Sequence, residues 1–284
     1  IDATIDEQTG IIDGREILTY WNNSPDTLTF VYFHLYQQAF VKGGYLEKLN
    51  KENNISQTFG KYEAAGLGEV VIGISIDTKK LVTESDYSLM KAYLPEQLLP
   101  GDSVVFRISF KTYFDNGSQR RRMKKFNSAG SAHYDGVHWY PRICVYDSKF
   151  GWDTDQHLGK EFYGNFGTYN VKLNFSSNYI VGATGTLQNT EEVLPDSLMK
   201  KLELRNFAGK PWSSPASIII PYDSAERKTW HFYAENVHDF AWTADPAYRI
   251  GIAYATVWDQ TLQRQRKVLC QSLAHESHAA GWQD

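Results

Sequence analysis

The sequence predicts an all-β fold, either a multi-sheet β-sandwich or a saddle-shaped domain. Aromatic residues make up 14% of the 284 residues, with 8 Trp, 18 Tyr and 15 Phe, and such side chains favour strands. Segments of strand character recur roughly every 8–12 residues and are separated by Gly, Pro and Asn turns, as in sandwiches. Long helices do not alternate with these segments, which argues against a doubly wound α/β fold.

The first part of the chain shows the clearest strand patterns. Residues 1–6 and 16–20 alternate apolar and polar side chains, and residues 27–36 are rich in β-branched and aromatic ones. All three segments therefore predict strands. Asn, Ser, Pro and Asp at residues 22–26 predict the turn between the last two. Residues 40–54 are polar and mixed, and predict a long connection with a short helix.

A second group of patterns follows. Residues 69–76 and 79–83 predict a hairpin around residues 77–78. The Pro-Gly-Asp corner within residues 95–102 predicts a turn. Residues 104–113 alternate regularly and predict a strand with one face in water.

The centre of the chain, residues 138–147, concentrates aromatic residues around a proline. Within it, residues 143–146 predict a strand that is buried on both faces. Further strands are predicted at residues 169–175, 179–184 and 229–235.

The last part of the chain leaves two alternatives open. Residues 191–205 predict either a short helix or two strands with a polar link. Residues 251–258 and 268–274 predict paired strands joined by a polar connection, and the alternative is a helix over residues 261–273, where leucines partly fit a helical face.

Charge and cysteine content restrict the class of protein. A net charge of −4 indicates no polyanionic partner. The basic run at residues 120–125 could contact phosphates, but it is interpreted as a solvated loop, so we expect no nucleic acid partner. Cys144 and Cys270 lack metal-ligand spacing, and a disulfide between them stays open. No run approaches the ~20 apolar residues of a membrane span.

The sequence contains no complete active site. A zincin requires H-E-x-x-H, with both histidines on one helical face, whereas His275-Glu276-Ser277-His278 places its second histidine one residue early. We interpret these residues as a polar surface connection without a metal. The G-x-S-x-G elbow of serine hydrolases is also absent. We therefore predict no catalytic residue and no metal ligand, and a self-sufficient hydrolase is disfavoured.

Several segments in order nevertheless resemble the N-terminal domain of the aminopeptidase-N-like gluzincin zinc metallopeptidases, and the bacterial branch in particular. The resemblance spans roughly residues 5–245 and is carried by the following segments: Leu18-Thr19-Tyr20-Trp21-Asn22-Asn23-Ser24-Pro25-Asp26, Leu98-Leu99-Pro100-Gly101-Asp102-Ser103, Trp139-Tyr140-Pro141-Arg142, Val145-Tyr146-Asp147, Gly151-Trp152, Glu161-Phe162-Tyr163-Gly164, Val181-Gly182-Ala183-Thr184-Gly185, Lys228-Thr229-Trp230-His231-Phe232 and Asp239-Phe240-Ala241-Trp242.

This resemblance implies a domain organisation and a function. Residues 1–249 would form the saddle-like, non-catalytic β domain, and residues 250–284 would begin the missing thermolysin-like catalytic domain. That domain would hold the zinc, so the segment alone is expected to be inactive and to need no cofactor. The parent would hydrolyse N-terminal peptide bonds, and the partners of this segment would be its own catalytic domain and the peptide substrate. The start at Ile1 looks trimmed, and a periplasmic, secreted or cell-surface location is expected, although a cytoplasmic one is compatible.

The resemblance also implies substrate-binding residues. In that family a Gln or Glu just before the central strand holds the free amine of the substrate. The matching window, residues 133–138, contains Asp135 and His138 but no Gln or Glu. We expect these two side chains to bind substrate, and ordinary structural roles for them are the alternative. A second reading of the whole chain is a carbohydrate-binding β-sandwich, in which exposed tryptophans stack on sugars: Trp139, Trp152 or Trp212.

Overall fold

The chain is described by a computed structural model over residues 1–119, 122–128, 131–158, 163–211 and 213–282. Its backbone is dominated by strands arranged in several sheets, which confirms the predicted all-β, multi-sheet class. The strands, in chain order, are β1 (Asp2–Asp6), β2 (Ile11–Trp21), β3 (Leu28–His34), β4 (Glu69–Ile76), β5 (Lys79–Lys80), β6 (Thr83–Asp86), β7 (Leu89–Leu98), β8 (Ser103–Tyr113), β9 (Lys124–Ser128), β10 (Ser131–Gly136), β11 (Arg142–Ile143), β12 (Tyr146–Asp147), β13 (Gly151–Trp152), β14 (Gly167–Ser176), β15 (Ile180–Ala183), β16 (Thr186–Leu187), β17 (Arg227–Val237), β18 (Trp242–Asp245), β19 (Tyr248–Asp259) and β20 (Arg264–His275).

The helices are short and lie in the connections. The predicted helix within residues 40–54 is present, and residues 191–205 form helices, not strands. The helices are α1 (Tyr45–Glu52), α2 (Lys61–Ala64), α3 (Thr190–Val193) and α4 (Asp196–Leu202), with 3-10 turns at Tyr36–Phe40, Leu204–Phe207 and Glu276–Trp282. Among the described residues, no helix has the length and apolar character needed to cross a membrane.

The largest sheet has eight strands in the order β16-β17-β14-β1-β2-β8-β4-β5. Short β1 lies between β2, to which it is antiparallel, and β14, to which it is parallel. Two four-stranded sheets pack with it, in the orders β15-β18-β10-β9 and β11-β3-β7-β6. A separate hairpin joins β19 and β20 over twelve residues each.

Alternating side chains of the large sheet divide the interior into two apolar cores. One core gathers Ile5, Ile12, Trp230 and Phe232, and is joined by Trp139 from the centre of the chain. The other surrounds buried side chains of β3, β7 and β8. Strand β17 is an example of this alternation. Trp230 and Phe232 are buried, and His231 between them points to the other face, because successive side chains alternate across a strand.

The structure corrects the predicted elements at residues 143–146 and 95–102. Residues 143–146 do not form one continuous buried strand, since β11 and β12 are two-residue strands in different sheets. Pro141, which lacks an N–H, and the left-handed backbone of His138 (φ 54°) interrupt regular pairing there. The predicted turn at residues 95–102 begins late, because β7 continues through Pro95 to Leu98. Pro95 is tolerated because the pairing of β7 with β3 is irregular there, between Tyr93 and Leu98.

The alternatives at the end of the chain are resolved in favour of strands. A helix over residues 261–273 is excluded, since β19 and β20 pair continuously from Tyr248 opposite His275 to Asp259 opposite Arg264. The carboxylate of Asp259 accepts the backbone N–H groups of Thr261 and Leu262 and so fixes the turn. The open question of a disulfide is also resolved: Cys144 is a buried free thiol and Cys270 an exposed one.

Candidate functional site

A cleft of about 1480 Å³ lies between the sheet β15-β18-β10-β9 and strand β20 of the β19–β20 hairpin. Asp135, Trp242 and Thr243 line one side, and Lys267 and Leu269 line the opposite side. The cleft therefore combines a carboxylate, apolar surface and cations in one concave space. Such a mixture is typical of a binding site.

Asp135 lies on this cleft because of its place in β10. It pairs with Thr243 of β18, and the next residue, Gly136, leaves room for the indole of Trp242, which a Cβ would strike. Asp135 Oδ1 accepts hydrogen bonds from Thr243 Oγ1 at 2.8 Å and from His133 Nε2 at 3.0 Å. The carboxylate is thus held rigidly while its side chain stays one-third exposed.

His133 bridges two carboxylates beneath the cleft wall. Its Nδ1 lies 3.2 Å from Asp245 Oδ2, opposite the contact with Asp135, and Phe126 stacks on its ring. Burial disfavours the imidazolium, but the hydrogen bonds to Asp135 and Asp245 outweigh it and raise the pKa of His133 to about 9. Burial likewise works against the Asp135 carboxylate, and His133 overcomes it and lowers the pKa of Asp135.

His138 lies close to Asp135 in sequence but in a different environment. Its side chain is buried and packs against Tyr36 with the two rings tilted and their centroids 4.8 Å apart. Its Nε2 lies 3.5 Å from Asp239 Oδ2. Gln37 Nε2 donates to the carbonyl oxygen of His138 at 2.8 Å. Burial, followed by the nearby charge of His157, lowers the pKa of His138 to about 3, so the ring is neutral.

Sequence reasoning did not identify His157 as part of this region. It lines the cleft and packs edge-on against Tyr36 and Phe40. Burial is the main reason that its pKa falls to about 4, and His34 adds to the effect. No local motif marks His157, because its neighbours come from segments far away in the chain.

The basic run contributes to the same cleft. Residues 120 and 121 lie outside the described residues, but Arg122 and Lys124 line the cleft. Lys124 begins strand β9, so the interpretation of residues 120–125 as a solvated loop is wrong over this part. The run was too polar to predict a strand, and its pairing with β10 is what orders it.

The segment His275-Glu276-Ser277-His278 is not a surface connection, which corrects the sequence interpretation. His275 and Glu276 are buried. Glu276 forms ion pairs with Arg249 and Lys210, and accepts the backbone N–H of Ser217 at 3.0 Å. Among the described residues, no group of three His, Cys, Asp or Glu side chains could hold a metal ion.

Of the three tryptophans considered for sugar stacking, neither of the two that the structure describes is an exposed platform. Trp139 is fully buried. Trp152 is half-buried and contacts Tyr20, Tyr32 and Tyr146 at mostly edge-on angles. Trp212 lies outside the described residues. Nothing in these contacts favours carbohydrate binding.

Comparison with known proteins finds solved structures with a similar fold. No family model and no curated protein sequence matches the chain. Two crystal structures of a mutant M1 zinc metallopeptidase from Deinococcus radiodurans match it, and one of them holds a Tyr-Ser-Ala substrate. Each is 12% identical with a TM-score of 0.50, and the match covers 95% and 96% of this chain, respectively. The chain spans only 45% of either structure. It therefore has the fold of the matched part of an M1 zinc metallopeptidase.

Proposed function

We propose that this chain is the non-catalytic N-terminal β domain of a zinc metallo-aminopeptidase, and that it forms one wall of the substrate cleft. Two independent lines support the proposal. The sequence segments that resemble the gluzincin N-terminal domain extend over most of the chain. The fold matches an M1 zinc metallopeptidase over almost the whole chain but less than half of the enzyme. Residues 250–284 would then begin the catalytic domain.

The observation that carries a role in substrate binding is the position of Asp135. Its carboxylate lies on the cleft with a lowered pKa. Two carboxylates, Asp135 and Asp245, flank one imidazolium, His133, so the group keeps one net negative charge. A peptide with a free N-terminus carries an ammonium, which a fixed carboxylate binds by a charge-assisted hydrogen bond. The substrate class proposed for this wall is accordingly a peptide with a free amine.

His138 takes a different part in this proposal. Because it is buried against Tyr36 and Asp239, it would position the end of β10, while Asp135 touches the ligand. Hydrolysis would belong to the catalytic domain, since the described residues offer no metal-binding group. The chain would therefore contribute binding energy and cleft shape, and no chemical step is assigned to it.

The proposal is tested by kinetics in the full-length parent. Asp135→Asn removes the charge and keeps the shape, so KM for aminopeptide substrates should rise about tenfold or more, while kcat changes little. His138→Ala should also raise KM, and neither variant should change the zinc content. Asp13→Asn is the matched control, because Asp13 is an exposed side chain on the large sheet that pairs only with Lys111 among the described ion pairs. Unchanged KM in Asp135→Asn would refute the binding role.

A further inference from the structure

The cleft beside Asp135 carries more positive than negative charge. Among the described residues that line it, Asp135 is the single carboxylate, whereas four side chains are cationic: Arg122, Lys124, Arg266 and Lys267. A ligand that carried only an ammonium would meet one attractive charge and four repulsive ones, and charges of one sign act together in a concave site. The excess of positive charge therefore indicates that the ligand also carries a negative group.

One wall of the cleft holds the carboxylate and a cation side by side. Asp135 of β10 lies directly opposite Lys124 of β9 and, on its other side, opposite Thr243 of β18. Side chains that lie opposite each other in neighbouring strands share one face of the sheet, with Cβ atoms about 5 Å apart. All three side chains line the cleft, so this wall presents opposite charges at neighbouring positions.

Strand β20 forms the facing wall and brings a further cation to the cleft. Four alternate residues of β20 line it: Lys267, Leu269, Gln271 and Leu273. This spacing is expected where one face of a strand is turned towards a cavity. Leu273 packs on Gly182 of β15, where an added Cβ would lie only 2.0 Å from Leu273 Cδ1. That close contact holds the hairpin against the sheet and thereby places Lys267 on the cleft.

Two of the cations are not neutralised by neighbouring acids. Arg266 pairs with Asp259 at 3.1 Å. Lys124 and Lys267 are both exposed, and neither forms an ion pair with another described residue. Their ammonium groups can therefore bind an anion without first breaking such a pair.

The neutral groups of the cleft suit a peptide. Leu269 is 50% exposed and offers an apolar contact. Gln271 offers an amide, which can both donate hydrogen bonds to a peptide backbone and accept them from it. A peptide with free ends carries an ammonium, a carboxylate and amide groups between them. Its charged and polar groups thus correspond to those of the cleft.

We propose that the ligand of this cleft is a peptide that carries a carboxylate as well as a free amine, and that Lys267 and Lys124 bind the carboxylate. The inference rests on the proposed function, in which Asp135 binds the amine. An ammonium binds a carboxylate by charge-assisted hydrogen bonds. The C-terminus of a short peptide and an acidic side chain both supply this group, so the experiment includes both.

Peptide binding to the 284-residue chain tests the inference. Dissociation constants are measured by NMR titration for four peptides: Ala-Ala-Ala, its C-terminal amide, acetyl-Ala-Ala-Ala and Ala-Glu-Ala amide. We expect Ala-Ala-Ala to bind at least about tenfold more tightly than its amide, because only the free acid meets the lysines with a negative charge. Lys267→Gln should reduce this ratio to less than about threefold, and Lys267→Arg should preserve it. Arg264→Gln is the matched control, since Arg264 is an exposed cation of the same strand that does not line the cleft.

Asp135→Asn separates this inference from the proposed function. It should weaken the binding of Ala-Ala-Ala and of its amide but not that of acetyl-Ala-Ala-Ala, which has no ammonium. A loss of affinity in Lys267→Gln without one in Asp135→Asn would refute amine binding by Asp135 and support the carboxylate site.

The peptides also decide whether the carboxylate site exists and what supplies the carboxylate. If neither Ala-Ala-Ala nor Ala-Glu-Ala amide binds more tightly than Ala-Ala-Ala amide, the carboxylate site is overturned. Equal effects of Lys267→Gln and Arg264→Gln would overturn it as well. Tighter binding of Ala-Ala-Ala than of Ala-Glu-Ala amide would support the site and assign the carboxylate to the C-terminus, and the reverse order would support it and assign an acidic side chain.

Discussion

Arg249 and Glu276 form an ion pair in which both side chains are completely buried. Arg249 Nε lies 2.8 Å from Glu276 Oε2, and Arg249 Nη2 also donates to Ser217 O at 2.8 Å. Lys210 pairs with the other carboxylate oxygen of Glu276. The pair ties the base of the β19–β20 hairpin to the connection before β17.

Breaking this pair should be costly. Glu276→Gln would leave the Arg249 charge buried without a counter-ion, and we expect a loss of about 3–5 kcal/mol in the free energy of unfolding. Urea denaturation monitored by Trp fluorescence measures the change. The matched control is Asp259→Asn, which breaks the more exposed pair with Arg266 and should cost less than about 1 kcal/mol. Similar losses in both variants would contradict the prediction.

Truncating Trp230 tests the main core. Its side chain is fully buried in β17, so Trp230→Ala should lower the free energy of unfolding by about 3–5 kcal/mol. The control is Glu235→Ala, because the side chain of Glu235 is exposed on the same strand. Its free energy of unfolding should stay within about 0.5 kcal/mol of that of the unchanged chain. A melting temperature of Trp230→Ala near that of the unchanged chain would show that the Trp230 side chain is not packed in the core.

His133 should make stability fall at alkaline pH. Its folded pKa of about 9 lies above the ordinary value of 6.5, so the folded chain holds the proton more tightly than the unfolded one. The stabilising contribution is therefore complete below about pH 6.5 and is lost as the pH rises towards 9. His133→Gln should flatten this part of the profile of stability against pH. An unchanged slope in the variant would contradict the bridging role.

His138 and His157 should have the opposite effect at acid pH. Their folded pKa values, about 3 and about 4, lie below 6.5, so the unfolded chain binds protons more readily. Stability should decrease as the pH falls below about 6.5, with a slope of at most about 1.4 kcal/mol per pH unit for each ring. His157→Gln should reduce the slope between pH 6.5 and 4. The control variant is His231→Gln. If both variants show the same slope of stability against pH, burial of neutral His157 does not cause the loss of stability at acid pH.

The segment at residues 275–278 should not bind zinc. Glu276 is engaged by Arg249 and Lys210, and His275 Nδ1 lies 2.8 Å from Ser277 Oγ. Metal analysis of the purified chain after dialysis against zinc should give well below one equivalent. Stoichiometric zinc that disappears in His275→Ala would show that these contacts open to admit a metal.

Local patterns in the sequence determined where most strands lie. The alternation over residues 104–113 predicted β8 almost to the residue, because one face of that strand packs on the core and the other meets water. The same kind of local signal indicated paired strands at residues 251–258 and 268–274 but left a helix over residues 261–273 open, and the pairing of β19 with β20 decided between them. The resemblance to gluzincin segments indicated the fold that the structural comparison supports. These features depend on neighbouring residues, and neighbouring residues are what a sequence shows directly.

Only the tertiary structure decided which strands meet and which polar groups are buried. The parallel pairing of β1 with β14 joins residues about 170 positions apart, so no local pattern encodes it. Asp135, His133 and Asp245 form one charged group because β10 pairs with β18, whose residues lie more than 100 positions later. Glu276 reads as a surface acid in the sequence. Its burial depends on Arg249 and Lys210, whose charges offset its desolvation only once the chain has brought all three together.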